Sequence, residues 1–354
     1  MAADLTFLAL PGDGIGPEIM AATLAVLDAA QPLIARTVRI EQRDIGFPAL
    51  AQSGSTIPDD VIDAALASDG VLLGPVSHND YPPREDGGLN PSGVLRRELD
   101  LFANIRPARL WEGMPAPTRT HMDVVVVREN LEGFYADRNM HEGSGEFMPV
   151  PGVALAMRRI TEHASRRIAE AGFRIASERP AKRVAVIHKA NVMRLSDGLF
   201  LDTVRDVARS YPEIAVEEVL VDAAAALLVR SPERFDTLIT TNMFGDILSD
   251  LASELCGGLG LAGSLNAGPK HAAAQAQHGS APDLAGQDKA NPTSLILSLA
   301  MLLRHVGEVA AAKRIEQAIA ACLSAPSTRT KDVGGDLGTI AFTDTLIRHF
   351  EDLP

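Results

Sequence analysis

The segment TTNMFGDILSDLASEL, residues 240–255, carries two aspartates four positions apart, Asp246 and Asp250. On a helix that spacing puts both carboxylates on one face, about 5 to 6 Å apart, although the neighbouring Ile247, Leu248 and Leu251 are apolar. Two like charges so placed repel unless a cation lies between them. A ligand set made of oxygen alone favours Mg2+ or Mn2+ over zinc. A second reading stays open on this stretch alone, with Asp246 as a helix cap and Asp250 as solvated surface. Asp222, just after the run 216–221, offers a third carboxylate.

Three further stretches carry residues suited to acid–base or anion chemistry. In LRRELDLFANIRPAR, residues 95–109, four arginines flank an apolar centre. Arg96 and Arg106 can converge where the chain passes from helix to strand, presenting two planar forks to carboxylates. RENLEGFY, residues 128–135, follows the run 124–127, so Arg128 stands at a strand's carboxyl end, where open α/β sheets bind ligands. Tyr135 suits a general acid near a developing carbanion. In VAVIHKANV, residues 184–192, Lys189 again follows a strand, and nearby charges can bring a lysine into proton-relay range. Taken singly, these groups also read as a solvated face, a packed ring and a surface lysine.

The loop HGSAPDLAGQDKANP, residues 278–292, is rich in glycine and proline and too long for a simple turn. Its backbone donors could wrap an adenosine, and Asp283 could accept from both ribose hydroxyls. A carboxylate there repels a 2′-phosphate and selects NAD over NADP. A different glycine stretch, PGDGIGPE at 11–18, invites the same role. However, its third glycine comes one residue early for the dinucleotide fingerprint, and Pro17 marks a helix start. It reads as a tight strand-to-helix turn that at most borders a ligand.

The elements that must position these groups follow an α/β rhythm. Short apolar runs at 5–10, 70–73, 124–127, 184–187, 216–221 and 237–241 alternate with helical stretches such as 18–30, which argues for a largely parallel sheet. Residues 153–171 space apolar positions at three and four and read as one amphipathic helix. Residues 137–151 read as a protruding arm.

With 354 residues the chain suits two lobes. A net charge of −13 repels nucleic acid and anionic membrane, so an acidic substrate needs a local basic cluster. Two cysteines without a Cys-x-x-Cys argue against a disulfide or thiol–metal site and for a reducing compartment. There is no signal-peptide pattern, and no apolar run approaches the roughly 20 residues of a membrane span. The expectation is a cytoplasmic protein.

Together and in this order, the quoted stretches resemble the β-decarboxylating dehydrogenases, the isocitrate/isopropylmalate dehydrogenase family with its homoisocitrate and tartrate or malate members. The resemblance runs from Leu8 to about His305. It implies an α/β two-domain fold that is not a Rossmann fold, with a large mixed parallel sheet, flanking helices and a homodimer. Residues 1–101 and 257–354 would form a large cofactor-binding domain. Residues 102–256 would carry substrate, metal and dimer contacts. The implied activity is NAD-dependent oxidative decarboxylation of a 3-substituted malate. By resemblance, Arg96, Arg106 and Arg128 hold the malate carboxylates and Tyr135 protonates the enolate once CO2 has left. Lys189 and Asp222 manage the hydroxyl proton, reaching across from the second subunit. Asp222, Asp246 and Asp250 bind Mg2+ or Mn2+, and His278, Gly279, Ser280, Ala281, Asp283, Leu284 and Asn291 bind NAD.

Departures from the family pattern bear on specificity. Leu131 replaces the usual threonine, and Gln275, Ala276 and Gln277 replace a Glu-Pro-Val. The substrate's variable group should meet LNPSGV, residues 89–94. Asn90 and Ser92 are the Ser and Asn of isocitrate enzymes in reverse order. As two donors they favour a polar, isocitrate-like substituent, because an unpaired buried donor costs about 1 to 3 kcal/mol. Gly93 leaves room for bulk, so isopropylmalate, homoisocitrate, tartrate and malate remain alternatives. A non-catalytic regulatory paralogue is the rival of another class, although Tyr135, Lys189 and all three aspartates are present. A dehydrogenase of phosphorylated hydroxy-amino acids would need paired histidines at ligand spacing, which the chain lacks.

Overall fold

The computed structural model describes residues 4–115, 117–118, 120–135, 140 and 143–353. In chain order it runs β1 (Leu5–Leu10), α1 (Gly16–Ala30), β2 (Val38–Gln42), α2 (Phe47–Ser53), α3 (Asp59–Ala67), β3 (Gly70–Leu73) and α4 (Pro91–Glu98). There follow β4 (Ala103–Arg109), β5 (Asp123–Glu129), β6 (Glu146–Val150), β7 (Val153–Ala156), α5 (Glu162–Glu178), β8 (Arg183–His188) and α6 (Ser196–Ala208). Next come β9 (Ala215–Leu220), α7 (Val221–Arg230), β10 (Thr237–Thr240) and α8 (Asn242–Leu255). The chain ends with β11 (Leu265–Ala267), β12 (Ala272–Gln275), α9 (Thr293–His305), α10 (Val309–Ser324) and α11 (Thr339–Asp352).

Two units divide the chain. The first comprises Met1–Leu99, Trp111–Pro115 and Gly257–Pro354, and the second Asp100–Leu110 and Ala116–Cys256. In the first, strand order is β2-β1-β3-β12-β11, parallel except for the antiparallel β11–β12 pair. That order is not the 3-2-1 start of a Rossmann sheet. Phe7, Leu8 and Leu10 are buried along β1, as are Ile19 and Met20 of α1, Leu295 and Leu299 of α9 and Phe342 of α11.

In the second unit the order is β4-β5-β10-β8-β9, with β4–β5 antiparallel and the rest parallel. Side chains alternate across a strand, so both faces of β5 need an apolar cover. Val125 and Val127 join Ile239 under Ile168 and Phe173 of α5 and Phe200 of α6. Val124 and Val126 join Leu238 and Ile187 under Leu228 of α7 and Leu248 of α8. That alternation also decides where the functional side chains after Val127 point.

Residues 153–171 do not form the one helix their spacing suggests. Val153–Ala156 pairs antiparallel with β6 as a ribbon, and α5 begins only at Glu162. The reasons are local. Gly152, at φ +81°, turns the ribbon, and the Thr161 hydroxyl caps α5 by accepting the Ala164 N–H at 3.1 Å. Of the expected arm, residues 137–139 and 141–142 lie outside the described residues. Both cysteines are free and buried, and no described helix is long and apolar enough to cross a membrane.

Candidate active site

Arg106 of β4 stands opposite Val126 of β5, so it shares the α8 face with Val126 and, two residues on, Arg128. Arg128 is fully buried yet bonded at all three nitrogens. Its Nε donates to Asn242 Oδ1 at 2.9 Å, its Nη2 to the Tyr135 hydroxyl at 2.7 Å and its Nη1 to Asp246 Oδ1. The Tyr135 hydroxyl in turn donates to Asp246 Oδ2 at 2.7 Å. Arg106 Nη1 donates to Ser249 Oγ at 2.8 Å, Asp250 Oδ1 at 3.1 Å and Asp246 Oδ1 at 3.3 Å. Burial and the neighbouring Arg128 charge pull Arg106 down to about 10. The two aspartates keep 41% and 50% of their side chains exposed while the arginines are buried, so acidic oxygens face solvent over a cationic floor.

A helix bearing a side chain at position 245 could not lie this close to β5. A Cβ on Gly245 would stand 2.6 Å from Arg128 Cγ and 2.7 Å from Arg128 Cβ. Gly245→Ala is therefore expected to destabilise the fold by about 1 to 3 kcal/mol and to lower kcat/KM by displacing Arg128. A melting temperature equal to the parent's would contradict this packing.

The loop after β5 is held by buried carboxylates. Glu129 accepts the N–H groups of Leu131 at 2.8 Å and Glu132 at 2.9 Å, and burial pushes its carboxyl up to about 7. Glu132 accepts the Thr161 N–H and hydroxyl, and Asn242 Nδ2 donates to the Glu132 carbonyl. Tyr135 is thereby delivered to α8. At residue 131 only the backbone enters this bonding, which a leucine supplies as well as a threonine.

Lys189, at the end of β8, donates from Nζ to Asp222 Oδ1 at 2.6 Å. This bond holds the Asp222 carboxyl below its ordinary range. The Lys189 backbone N–H is fixed by Asp197 Oδ2, and Asp197, fully buried, also accepts from Arg158. Lys189 and Asp222 thus form a couple of their own. Among the described residues of one chain, no three His, Cys, Asp or Glu side chains gather closely enough to hold a metal ion. Asp246 and Asp250 come together on α8, and Asp222 does not join them within the chain.

In the first unit, Asn90 caps α4, its side-chain oxygen accepting the Gly93 N–H at 3.2 Å. The Ser92 hydroxyl donates to Gln275 Oε1 at 3.1 Å, and Arg96 Nη2 reaches the same oxygen at 3.4 Å. The Ser92 hydroxyl thus faces Gln275, while the Asn90 side-chain oxygen is used by the cap.

The expected cofactor loop packs on the first glycine turn. A Cβ on Gly14, at φ +57°, would stand 2.0 Å from the Ser280 carbonyl oxygen, which accepts the Ile15 N–H at 2.9 Å. Asp13 N–H goes to the Pro75 carbonyl and Gly16 N–H to that of Asp13. The Asp13, Ile15 and Gly16 amides therefore bond protein, and Gly14 serves close approach. In the loop, Ser280 Oγ meets Ser77 Oγ at 2.7 Å, and Ala281 takes a left-handed conformation. Asn291 donates to Asp332 at 2.9 Å and accepts the Thr293 N–H at 3.0 Å. Gly279, Asp283 and Leu284 are exposed. His278 Nε2 is buried and unpartnered among the described residues, and burial lowers the ring's pKa.

Sequence reasoning missed Asn242, Ser249, Arg158, Asp197 and the hub role of Gln275. Asn242 was within reach, because it lies four residues before Asp246 on the same helical face. The Arg158–Asp197 pair spans 39 positions and leaves no local trace.

The model of the isocitrate/isopropylmalate dehydrogenase family matches residues 6–348. An isocitrate/homoisocitrate dehydrogenase of Thermus thermophilus is 42% identical, covering 97% of this chain and 98% of that protein. A 3-isopropylmalate dehydrogenase of Archaeoglobus fulgidus is 42% identical over 95% of this chain and 97% of its own. The crystal structure of isocitrate dehydrogenase from Methylococcus capsulatus superposes with a TM-score of 0.89 at 36% identity, covering 98% of this chain and all of that one. An α/β fold with these residues at its strand ends is thus an oxidoreductase of the decarboxylating dehydrogenase class. The chain belongs to the isocitrate/isopropylmalate dehydrogenase family.

Proposed function

We propose that this protein catalyses NAD-dependent oxidative decarboxylation of a 3-substituted malate with a polar substituent, of the isocitrate class, using Mg2+ or Mn2+ and acting as a homodimer. The observation that carries the reading is the cluster in which buried Arg106 and Arg128 underlie Tyr135, Asp246 and Asp250.

The residues fit the implied groups. Asp246 and Asp250 offer an all-oxygen, half-exposed pair, and Asp222 of a second copy would complete the metal ligands. Exposed apolar side chains support that second copy, namely Phe147, Met148, Val150, Val153 and Leu155 on the β6–β7 ribbon and Val192 and Leu195 just after Lys189. For NAD, the exposed Asp283 carboxylate suits ribose hydroxyls, and the buried His278 Nε2, unpartnered among the described residues, suits a ligand contact. Gly279, Ser280, Ala281, Leu284 and Asn291 would shape the same pocket.

NAD would accept the hydride and the divalent cation would supply Lewis-acid stabilisation of the developing enolate. Arg96, Arg106 and Arg128 bind the malate carboxylates, while Asn90 and Ser92 meet the 3-substituent. Lys189 and Asp222 manage the proton of the substrate hydroxyl, the two groups being joined by the Lys189 Nζ–Asp222 Oδ1 hydrogen bond. Tyr135 then protonates the enolate carbon, and its hydroxyl is already aligned between Arg128 and Asp246.

The test is NADH formation with Mn2+ across isocitrate, 3-isopropylmalate, homoisocitrate, tartrate and malate. Isocitrate or a similarly polar malate should give the highest kcat/KM, and no turnover on any of them would reject the proposal. Asp283→Lys should raise KM for NAD by about tenfold or more, since it replaces the ribose acceptor by a cation. Unchanged NAD kinetics would remove Asp283 from the cofactor site.

A further inference from the structure

The PGDGIGPE stretch at 11–18 holds two carboxylates, Asp13 and Glu18, and each has a partner that leads to the 278–292 loop. Asp13 is buried, and its oxygens meet three neutral donors. Oδ1 accepts the Phe47 N–H at 2.8 Å, while Oδ2 accepts the Ser77 N–H at 2.9 Å together with the Tyr81 hydroxyl. Hydrogen bonds to an ionised acceptor are roughly twice as strong as neutral ones, so this carboxylate fixes both chain segments firmly. Room for it depends on Gly46, at φ +75°, where a Cβ would stand 2.4 Å from Asp13 Oδ1.

Ser77, held at its main chain by Asp13, places its Oγ 2.7 Å from Ser280 Oγ. The Ser280 carbonyl also accepts the N–H of Ile15, two residues beyond Asp13, at 2.9 Å. Ser280 is thus gripped at side chain and main chain just before left-handed Ala281 and the turn Pro282–Leu284. Past that turn, Glu18 Oε1 accepts the Gly286 N–H. The exposed Asp283 therefore lies on a short span pinned at both ends. A loop that must be ordered on binding weakens affinity, and one already fixed avoids most of that loss. We infer that Asp13 and Glu18 are positioning residues for the cofactor, clamping the two ends of the span 280–286 so that Asp283 is presented in place. Glu18 acts directly on the loop's main chain, and Asp13 acts through Ser77. The inference rests on the proposed cofactor role of this loop.

The experiment compares Asp13→Ala and Glu18→Ala with the parent by steady-state kinetics at varied NAD and by thermal unfolding. Asp13→Ala should raise KM for NAD by about tenfold, and Glu18→Ala, at a half-buried site, by about threefold. In both, kcat should stay within about threefold and KM for the malate within about twofold. Mere loss of folded enzyme does not produce that split. Glu18→Ala lies at the surface of α1 and decides the matter by itself if Asp13→Ala does not fold. An unchanged KM for NAD in either folded variant, or a malate KM rising in step with it, would overturn the inference. Titration of NADH without malate separates this result from a failure of the proposed activity. Binding weakened by about the same factors supports the clamp even if no malate is oxidised. Equal binding, or no NADH bound by the parent, rejects it.

Discussion

Arg128→Met should lower kcat/KM by about 10²- to 10⁴-fold, the equivalent of roughly 3 to 5 kcal/mol lost when one member of a buried ion pair is removed. Arg128 is only 1% exposed and donates to Asn242, Asp246 and Tyr135. Its loss takes one guanidinium from Asp246 and removes the donation from Arg128 Nη2 to the tyrosine hydroxyl. Stability should fall as well, since a buried amide oxygen on Asn242 loses its partner. Arg128→Lys keeps the charge but not the fork, and should recover stability more than activity. Steady-state kinetics beside thermal unfolding checks both claims. A methionine variant retaining parental kcat/KM would show that Arg128 only holds the fold.

The second large effect is expected from Tyr135→Phe. The ring is kept and one hydroxyl is removed, so Asp246 Oδ2 loses a donor and Arg128 Nη2 an acceptor. If the phenol protonates the enolate, kcat should drop about 10²- to 10⁴-fold with KM changed little. Incorporation of solvent deuterium at the product's C3 carbon should slow in parallel. A kcat within threefold of the parent would reassign the proton to another group. Comparable loss in KM and kcat would instead mark Tyr135 as a positioner of Arg128.

Several features of the site are local and were therefore readable. Strand ends at Arg128 and Lys189 follow from short apolar runs, and Asp246 and Asp250 follow from helical spacing. The glycine turn at 12–16 was readable as a turn, although only the approach of the Pro75 and Ser280 carbonyls explains why a Cβ is barred at Gly12 and Gly14. The helix expected at 153–171 failed because periodicity cannot distinguish a ribbon strand followed by a capped helix from one continuous helix. Gly152 and Thr161 were the local clues.

What the amino-acid order determined by itself is the inventory and its period: which charged groups end strands, which share a helix face, and which residues alternate into the core. Only the tertiary structure decided the pairings. It sets Arg106 against Asp246, 140 positions away, turns the Ser92 proton to Gln275, and joins Asp222 to Lys189 rather than to the other aspartates. The physical reason is range. Turn, cap and periodicity preferences act over a few residues, whereas a hydrogen bond's direction and a charge's burial depend on whichever distant strand or helix the sheet brings alongside.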